Sequence, residues 1–206
     1  MTEHLAAFIG VALLLNISPG PDQIYVLGRT LAQGRFVGFV SSWGVCSGAF
    51  VHVFAAAFGF SLIIKSSPTA YAVLKYAGAA YMVWLAINTL RHNVLNISKD
   101  TSAPKSLGKV YLQGILVDVL NPKVAIFFLA FLPQFIPANS PSQVSSFIAL
   151  GAIVILIGLV WESLLVFFSD LVLGRFLQNP ALVKILNYIM AAVFLGLAVH
   201  VAFFSQ

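Results

Sequence analysis

The chain has 206 residues, of which 60% are apolar and 8% are charged. Soluble domains carry about 25% charged residues, and a soluble fold of this length cannot hide so much apolar surface. The composition therefore excludes the soluble classes and indicates an all-α integral membrane protein. The formal net charge of +5 is better explained by basic loops beside a membrane than by a nucleic-acid partner.

The cysteine and histidine content argues against a metal or redox site. The one cysteine, Cys46, excludes an internal disulfide. The histidines follow no i, i+4 spacing, so we expect no metal and no cofactor. No Ser/His/Asp set is recognisable, which makes a membrane-embedded enzyme the weaker interpretation.

Six apolar segments are long enough to cross a bilayer as helices, which takes roughly 20 residues each. The predicted spans are 5–27, 37–63, 70–90, 111–135, 144–168 and 184–204. The N-terminus lacks the basic region and cleavage site of a signal peptide, so we expect the first span to be retained. The one long loop, 91–110, divides a single transmembrane domain, 1–206, into halves at about 1–92 and 108–206.

Basic residues are concentrated in alternate loops. The first, third and fifth loops and their flanks hold Arg29, Arg35, Arg91, Lys99, Lys105, Lys109, Arg175 and Lys184. The opposite side holds Lys65. The positive-inside rule then places the odd loops, including 91–110, in the cytoplasm and both termini outside it.

The first span is interrupted by the segment SPGPD, Ser18–Asp22. A proline inside a helix costs about 3 kcal/mol or more. Serine is a favoured N-cap, and proline is favoured at the first helical position. The segment therefore predicts that one helix ends and another begins within the bilayer, with Ser18 as the cap and Asp22 in the new first turn. A simple proline kink is the alternative.

The second half of the chain has a similar interruption at Asn121-Pro122-Lys123. Residues 74–86 also align without gaps on 186–198, although recurring Ala and Leu explain part of that match. Because each half has three spans, equivalent helices would cross the membrane in opposite directions. This arrangement is the inverted repeat of many secondary transporters.

The two interruptions predict one polar site near the middle of the membrane. Irregular backbone is tolerated there only when it is buried in protein or lines a watery cavity. Free amides at a helix start suit a carboxylate, and free carbonyls or a side-chain carboxylate suit an ammonium. We therefore predict that a small zwitterion is bound by Ser18, Pro19, Gly20, Pro21, Asp22, Asn121, Pro122 and Lys123.

Three acids within the spans, Asp22, Asp118 and Glu162, are candidates for proton coupling, since ionisable residues in a membrane are costly and usually functional. Three roles stay open for Asp22: binding the substrate ammonium, carrying the proton, or only complementing the helix dipole. Lys123 is expected to pair with Asp22 or Asp118, or to meet the substrate carboxylate. Snorkelling to the interface is an equal alternative for Glu162, and His52 is expected to be a packing residue.

Small residues recur along one face of the second span. Gly34/Gly38 and Gly44/Gly48 each form a G-x-x-x-G pair, which is typical of closely packed helices. We expect this face to contact the broken first helix or a partner subunit, so a homodimer stays open.

Four segments in this order resemble the lysine exporter (LysE/RhtB) family of bacterial amino-acid efflux proteins. They are SPGPD at 18–22, GRFVGFVSSWGVCSG at 34–48, LKYAGAAYMVWLAINTLR at 74–91 and GILVDVLNPKVAIFFLAFLPQFI at 114–136. The resemblance implies a six-helix inner-membrane exporter of amino acids, driven by the proton gradient. It is closer to the homoserine/threonine branch than to the lysine/arginine branch, and many relatives carry Asn where this chain has Asp118.

The expected function is therefore the export of amino acids of the homoserine, threonine or leucine type, by proton antiport with alternating access. A passive channel or a membrane scaffold is the alternative. A channel would pass substrate without a proton gradient, and a scaffold would tolerate the loss of Asp22 and Lys123.

Overall fold

The computed structural model describes residues 2–66, 68–91, 106–136, 142–171 and 179–204, and all regular structure in these ranges is helical. The α-helices are α1 (Thr2–Ile17), α2 (Pro21–Gln33), α3 (Arg35–Ser66), α4 (Pro68–Arg91), α5 (Leu107–Val119), α6 (Pro122–Ile126), α7 (Gln143–Phe167), α8 (Ser169–Leu171) and α9 (Pro180–Phe204). After α6 the chain continues as a π-helical turn, Phe127–Phe131, and a 3-10 turn, Leu132–Phe135. The predicted all-α class is confirmed.

Three stretches are long and apolar enough to cross a membrane: Arg35–Gly59, Gln143–Phe167 and Ala181–Phe203. Two more are obtained when each bent pair counts as one span, namely Leu5–Ile17 with Pro21–Gln33 and Leu107–Val119 with Pro122–Phe135. The described part of the chain thus has three to five candidate spans. α4 is not among them, so the six-span inverted arrangement stays a prediction.

The first interruption lies where the sequence predicts it, but its capping residue differs. α1 and α2 are bent by 51° at the break. A residue before proline is disfavoured in the helical conformation, and Gly20 is accordingly extended, with φ −157° and ψ 178°. Gly20 is therefore the N-cap and Pro21 is the first helical residue. The prediction that Ser18 caps this helix and Pro19 begins it is wrong.

The second interruption has the predicted cap. α5 and the α6 segment are bent by 49°. The Asn121 side chain accepts a hydrogen bond from the amide of Lys123 at 3.1 Å, and Pro122 is the first helical residue. Further along, Pro133 lacks an amide hydrogen and its ring crowds the carbonyl four residues earlier. This accounts for the widened and then tightened turns over 127–135.

α3 lies at the centre of the bundle and packs against α5, α7 and α2. A Cβ at Gly48 would lie 2.7 Å from the carbonyl oxygen of Ile115, and one at Gly44 would meet the carbonyl oxygen of Tyr111. These two glycines therefore allow α3 to approach α5 closely. The predicted contact of this face was the broken first helix or a partner subunit, whereas Gly44 and Gly48 contact α5.

The other glycine pair separates into two roles. A Cβ at Gly38 would meet the Thr30 hydroxyl of α2, so this glycine packs on the first broken span as predicted. Gly34 has φ +88° and no neighbour within 4 Å of a built Cβ, so it forms the turn between α2 and α3 and does not pack. Only glycine adopts this backbone conformation readily.

The first predicted loop is largely helical. α2 extends to Gln33, so Arg29 is a buried helical residue whose guanidinium donates to Gln33 Oε1 and Gln113 Oε1, both at 3.3 Å. Residues 92–105 of the predicted linking loop, with Lys99 and Lys105, lie outside the described residues, as does Arg175. The side chain of Lys65 also lies outside them.

The two aligned segments, 74–86 and 186–198, lie in α4 and α9, which pack against each other. The two helix breaks also meet, as described below, and their bends of 51° and 49° are nearly equal. The predicted relation between the two halves by an inverted repeat stays a prediction.

Candidate functional site

A buried ion pair joins the two helix breaks. Lys123, in the first turn of α6, places its Nζ 3.1 Å from Oδ2 and 3.3 Å from Oδ1 of Asp22, in the first turn of α2. The same Nζ donates to the carbonyl oxygen of Ser18 at 2.9 Å. The side chains of Lys123 and Asp22 are only 4% and 11% exposed. The structure therefore places Lys123 with Asp22, which is one of its three predicted roles.

Gln23 satisfies the backbone at the end of α1. Its side-chain amide donates to the carbonyl oxygens of Asn16 and of Ser18, the latter at 3.1 Å. These carbonyls have no helical partner because the chain leaves the helix at Pro19. A glutamine in the first turn of the second helix thus stabilises the end of the first.

Gly20 allows the ion pair to approach the backbone. A Cβ at this position would meet Asp22 Oδ1 and would lie 2.7 Å from Lys123 Nζ. Any larger residue would therefore displace one or both charged groups. Glycine at this position therefore leaves room for the ion pair, in addition to forming the break between the two helices.

A central cavity of about 30 Å³ lies beside the ion pair. All three predicted coupling acids, Asp22, Asp118 and Glu162, line it, and so does Lys123. Asp118 and Glu162 are 3% and 4% exposed, so the predicted snorkelling of Glu162 is wrong. The cavity brings three carboxyl groups together with one lysine ammonium. Among the described residues, no group of side chains is suited to hold a metal ion.

Asp118 has one oxygen that makes no hydrogen bond within the described part of the chain. This atom, Oδ2, is buried and lies 3.9 Å from Nε2 of His52. The same histidine nitrogen lies 2.9 Å from the backbone carbonyl oxygen of Asp118, near the end of α5. His52 thus holds the α5 terminus in place, as expected for a packing residue, while the carboxyl group stays available to a ligand or a proton.

A second cavity, of about 190 Å³, lies between the breaks and α4; we call it the α4 cavity. Its break-side wall is formed by the remaining predicted binding residues, namely Pro19, Gly20, Pro21, Asn121, Pro122 and Lys123. α4 contributes Tyr81, Trp84, Leu85, Asn88 and Thr89. Lys123 lines both cavities, so the ion pair stands where the two spaces meet.

Ser18 is fully buried beside this junction, and its hydroxyl makes no hydrogen bond among the described residues. Its carbonyl oxygen, and not its hydroxyl, is the group that contacts Lys123. The predicted site residues are therefore brought together, while Ser18 contributes through its backbone.

Several residues in or beside the site were not predicted from the sequence. Gln23 and Asn16 were missed although both flank the SPGPD segment and are polar. Tyr81, Asn88 and Thr89 of α4 were missed because only their burial against the breaks distinguishes them from other polar residues in an apolar helix.

Comparison with known proteins identifies the family of the chain. The family model described as LysE type translocator matches residues 13–204. The chain is 28% identical over 206 residues to the "Uncharacterized membrane protein YrhP" of Bacillus subtilis (strain 168), covering 96% of this chain and 97% of that protein. It is 25% identical over 194 residues to the "Leucine efflux protein" of Salmonella choleraesuis (strain SC-B67), covering 93% of this chain and 91% of that protein.

No solved structure matches the chain. The family match nevertheless covers nearly all of it, including both helix breaks and all three cavity acids. This membrane protein therefore belongs to the LysE family of translocators, whose members are transporters rather than enzymes.

Proposed function

We propose that this protein exports amino acids with uncharged side chains, of the homoserine, threonine or leucine type, across the bacterial inner membrane by proton antiport. The buried Lys123–Asp22 pair between the two helix breaks, beside two further buried acids, is the observation that carries the proposal. The leucine efflux relative supports an amino-acid substrate. A site for substrate and coupling ion between two broken helices is typical of secondary transporters.

The ion pair offers complementary partners for a zwitterion. The substrate carboxylate would take the Lys123 ammonium, and the substrate ammonium would take the Asp22 carboxylate. Each buried charge of the protein then has an opposite charge beside it both with and without substrate. Neither state therefore leaves a desolvated charge unpaired. A small amino acid fits this exchange because its two charges are separated by a single carbon.

Asp118 and Glu162 are the proposed proton carriers. They line the same cavity as the ion pair, and that cavity holds one lysine against three carboxyl groups. Neutralising the remaining acids requires protons or the substrate ammonium, and competition between the two couples their movement. Movement of α2 and α6 about the 51° and 49° bends would open the site alternately to the two sides.

The proposal includes six spans, with α4 as the third, arranged as two inverted repeats. It places both termini outside the cytoplasm, on the strength of the basic loops. A homodimer stays compatible with it.

Transport into inverted membrane vesicles tests the proposal. With the vesicle interior made acidic, we expect accumulation of labelled leucine, threonine or homoserine, and none of it after the gradient is collapsed. Asp118→Asn and Glu162→Gln should lower gradient-driven accumulation while exchange of leucine for leucine continues. Lys109→Gln, which removes a charge from the exposed start of α5, is the control and should leave both activities intact.

Two results would contradict the proposal. Uptake that continues at the same rate without the gradient would indicate a channel. No accumulation of any amino acid in the panel would exclude export of this class.

A further inference from the structure

We propose that the α4 cavity is the subsite for the substrate's side chain, and that it selects uncharged side chains over basic ones. This inference rests on the proposed amino-acid export. It adds the place where the side chain is bound and the residues that set specificity.

The position of Lys123 determines which space the substrate's side chain can enter. Its ammonium is the proposed partner of the substrate carboxylate, and it borders two spaces. The central cavity has a volume of only about 30 Å³ and is lined by three acids. The α4 cavity, of about 190 Å³, is several times larger and lies directly against both breaks. A side chain that leaves the Lys123 contact therefore finds room on the α4 side.

The wall of the α4 cavity is mainly apolar and aromatic, with one free hydroxyl group among the described residues. Apolar surface comes from Ile24, Leu85 and Phe194, and Trp84 stacks on Tyr81 with ring centroids 5.2 Å apart. Such a wall suits an aliphatic side chain. The Tyr81 hydroxyl is buried and makes no hydrogen bond among the described residues. It offers a partner for a substrate hydroxyl.

Asn121 provides a second polar group of this kind. It is 1% exposed and lines the α4 cavity, and its Nδ2 donates no hydrogen bond in the described ranges while its Oδ1 caps α6. A buried donor without a partner is costly. A hydroxyl-bearing or carboxylate-bearing substrate would supply the missing acceptor.

The charge of the α4 cavity disfavours basic side chains. Among the described residues that line the α4 cavity, Lys123 carries the only charge and no acid is present. The ammonium of a lysine substrate, or the guanidinium of an arginine, would be desolvated there beside a like charge. Both effects disfavour the charged form. Basic amino acids are therefore rejected, while aliphatic and hydroxylated ones are accepted.

Introducing a carboxylate at one position of the cavity wall tests this assignment. Asn88→Asp places a carboxylate in the α4 cavity, and Asn16→Asp places the same group in the central cavity. We expect Asn88→Asp to raise the ratio of lysine to leucine uptake in inverted vesicles about 10-fold or more, in line with the discrimination that single pocket contacts provide. Asn16→Asp should not raise it.

A size change provides a second, independent variant. Trp84 is 52% exposed, so its replacement leaves the core of the bundle intact. Trp84→Ala enlarges the cavity and should raise phenylalanine uptake relative to leucine, about 10-fold. Ratios are compared because they cancel differences in the amount of folded protein.

The outcomes separate this inference from the proposed function. If the wild type accumulates leucine but neither Asn88→Asp nor Trp84→Ala changes its ratio, the α4 subsite is wrong and the export stands. A rise in lysine uptake with Asn16→Asp in place of Asn88→Asp would assign the side chain to the central cavity. If the wild type transports no amino acid, both the export and the subsite fall.

Discussion

Replacing Lys123 by methionine removes the positive charge that joins the two helix breaks. The change leaves Asp22 buried with no cation at its side, and it also removes the hydrogen bond to the Ser18 carbonyl. Methionine keeps the length and apolar stem of lysine, so the loss is mainly one of charge. We expect a large loss of stability together with complete loss of coupled transport.

The expected loss of stability follows from the burial of both side chains of the pair, Lys123 and Asp22, which are 4% and 11% exposed. Removing one member of a buried pair costs about 3–5 kcal/mol because the other charge stays desolvated. Removing both is often close to neutral, since neither desolvation cost is then incurred. The double variant Asp22→Asn/Lys123→Met should therefore regain most of the free energy of unfolding that Lys123→Met loses.

Denaturant unfolding of the purified protein in detergent measures this coupling as a double-mutant cycle. Lys109→Met, the same substitution at an exposed position of α5, is the matched control and should change stability little. Equal stability of Lys123→Met and the wild type, or strictly additive effects in the double variant, would refute the claim that a buried ion pair holds the breaks together.

Three further predictions concern the backbone around the site. Gly48→Ala should separate α3 from α5 and destabilise the protein, because its Cβ would lie 2.7 Å from a carbonyl oxygen of α5. Gly59→Ala in the same helix, with no atom within 4 Å of a built Cβ, should be neutral or up to about 1 kcal/mol stabilising in the same unfolding assay. Asn121→Ala should cost about 0.5–2 kcal/mol through the lost cap, while Asn121→Asp keeps it. Gly20→Ala should lower leucine uptake strongly with normal membrane insertion, because its Cβ would displace the ion pair; full uptake would show that this contact is unimportant.

Much of the site could be predicted from residue chemistry. Prolines, Gly20 and Asp22 inside one apolar span are too costly to be incidental, and Asn121-Pro122 is a recognisable helix start. These local rules locate both breaks. They also indicate Lys123 as a partner for a carboxylate, since an unpaired lysine in a membrane is expensive.

Other features depend on packing that a single sequence does not reveal. The cap of α2 is not one of these features, because Pro21 forces Gly20 out of the helical conformation and so rules out a helix that begins at Pro19. The glycine face of α3 was recognised, but its partner α5 depends on tertiary contacts. The α4 cavity could not be predicted because its polar residues follow no motif and are brought to the breaks only by the fold.

Proton movement during amino-acid transport tests the central claim most directly. Purified protein in liposomes with an acidic interior and an enclosed pH-sensitive dye is given external leucine, threonine or homoserine. Coupled antiport predicts that the interior becomes more alkaline as labelled amino acid accumulates. Lys123→Met should abolish both signals, and Asp118→Asn should lower both together. Amino-acid entry without any change of the interior pH would contradict proton antiport at the paired helix breaks.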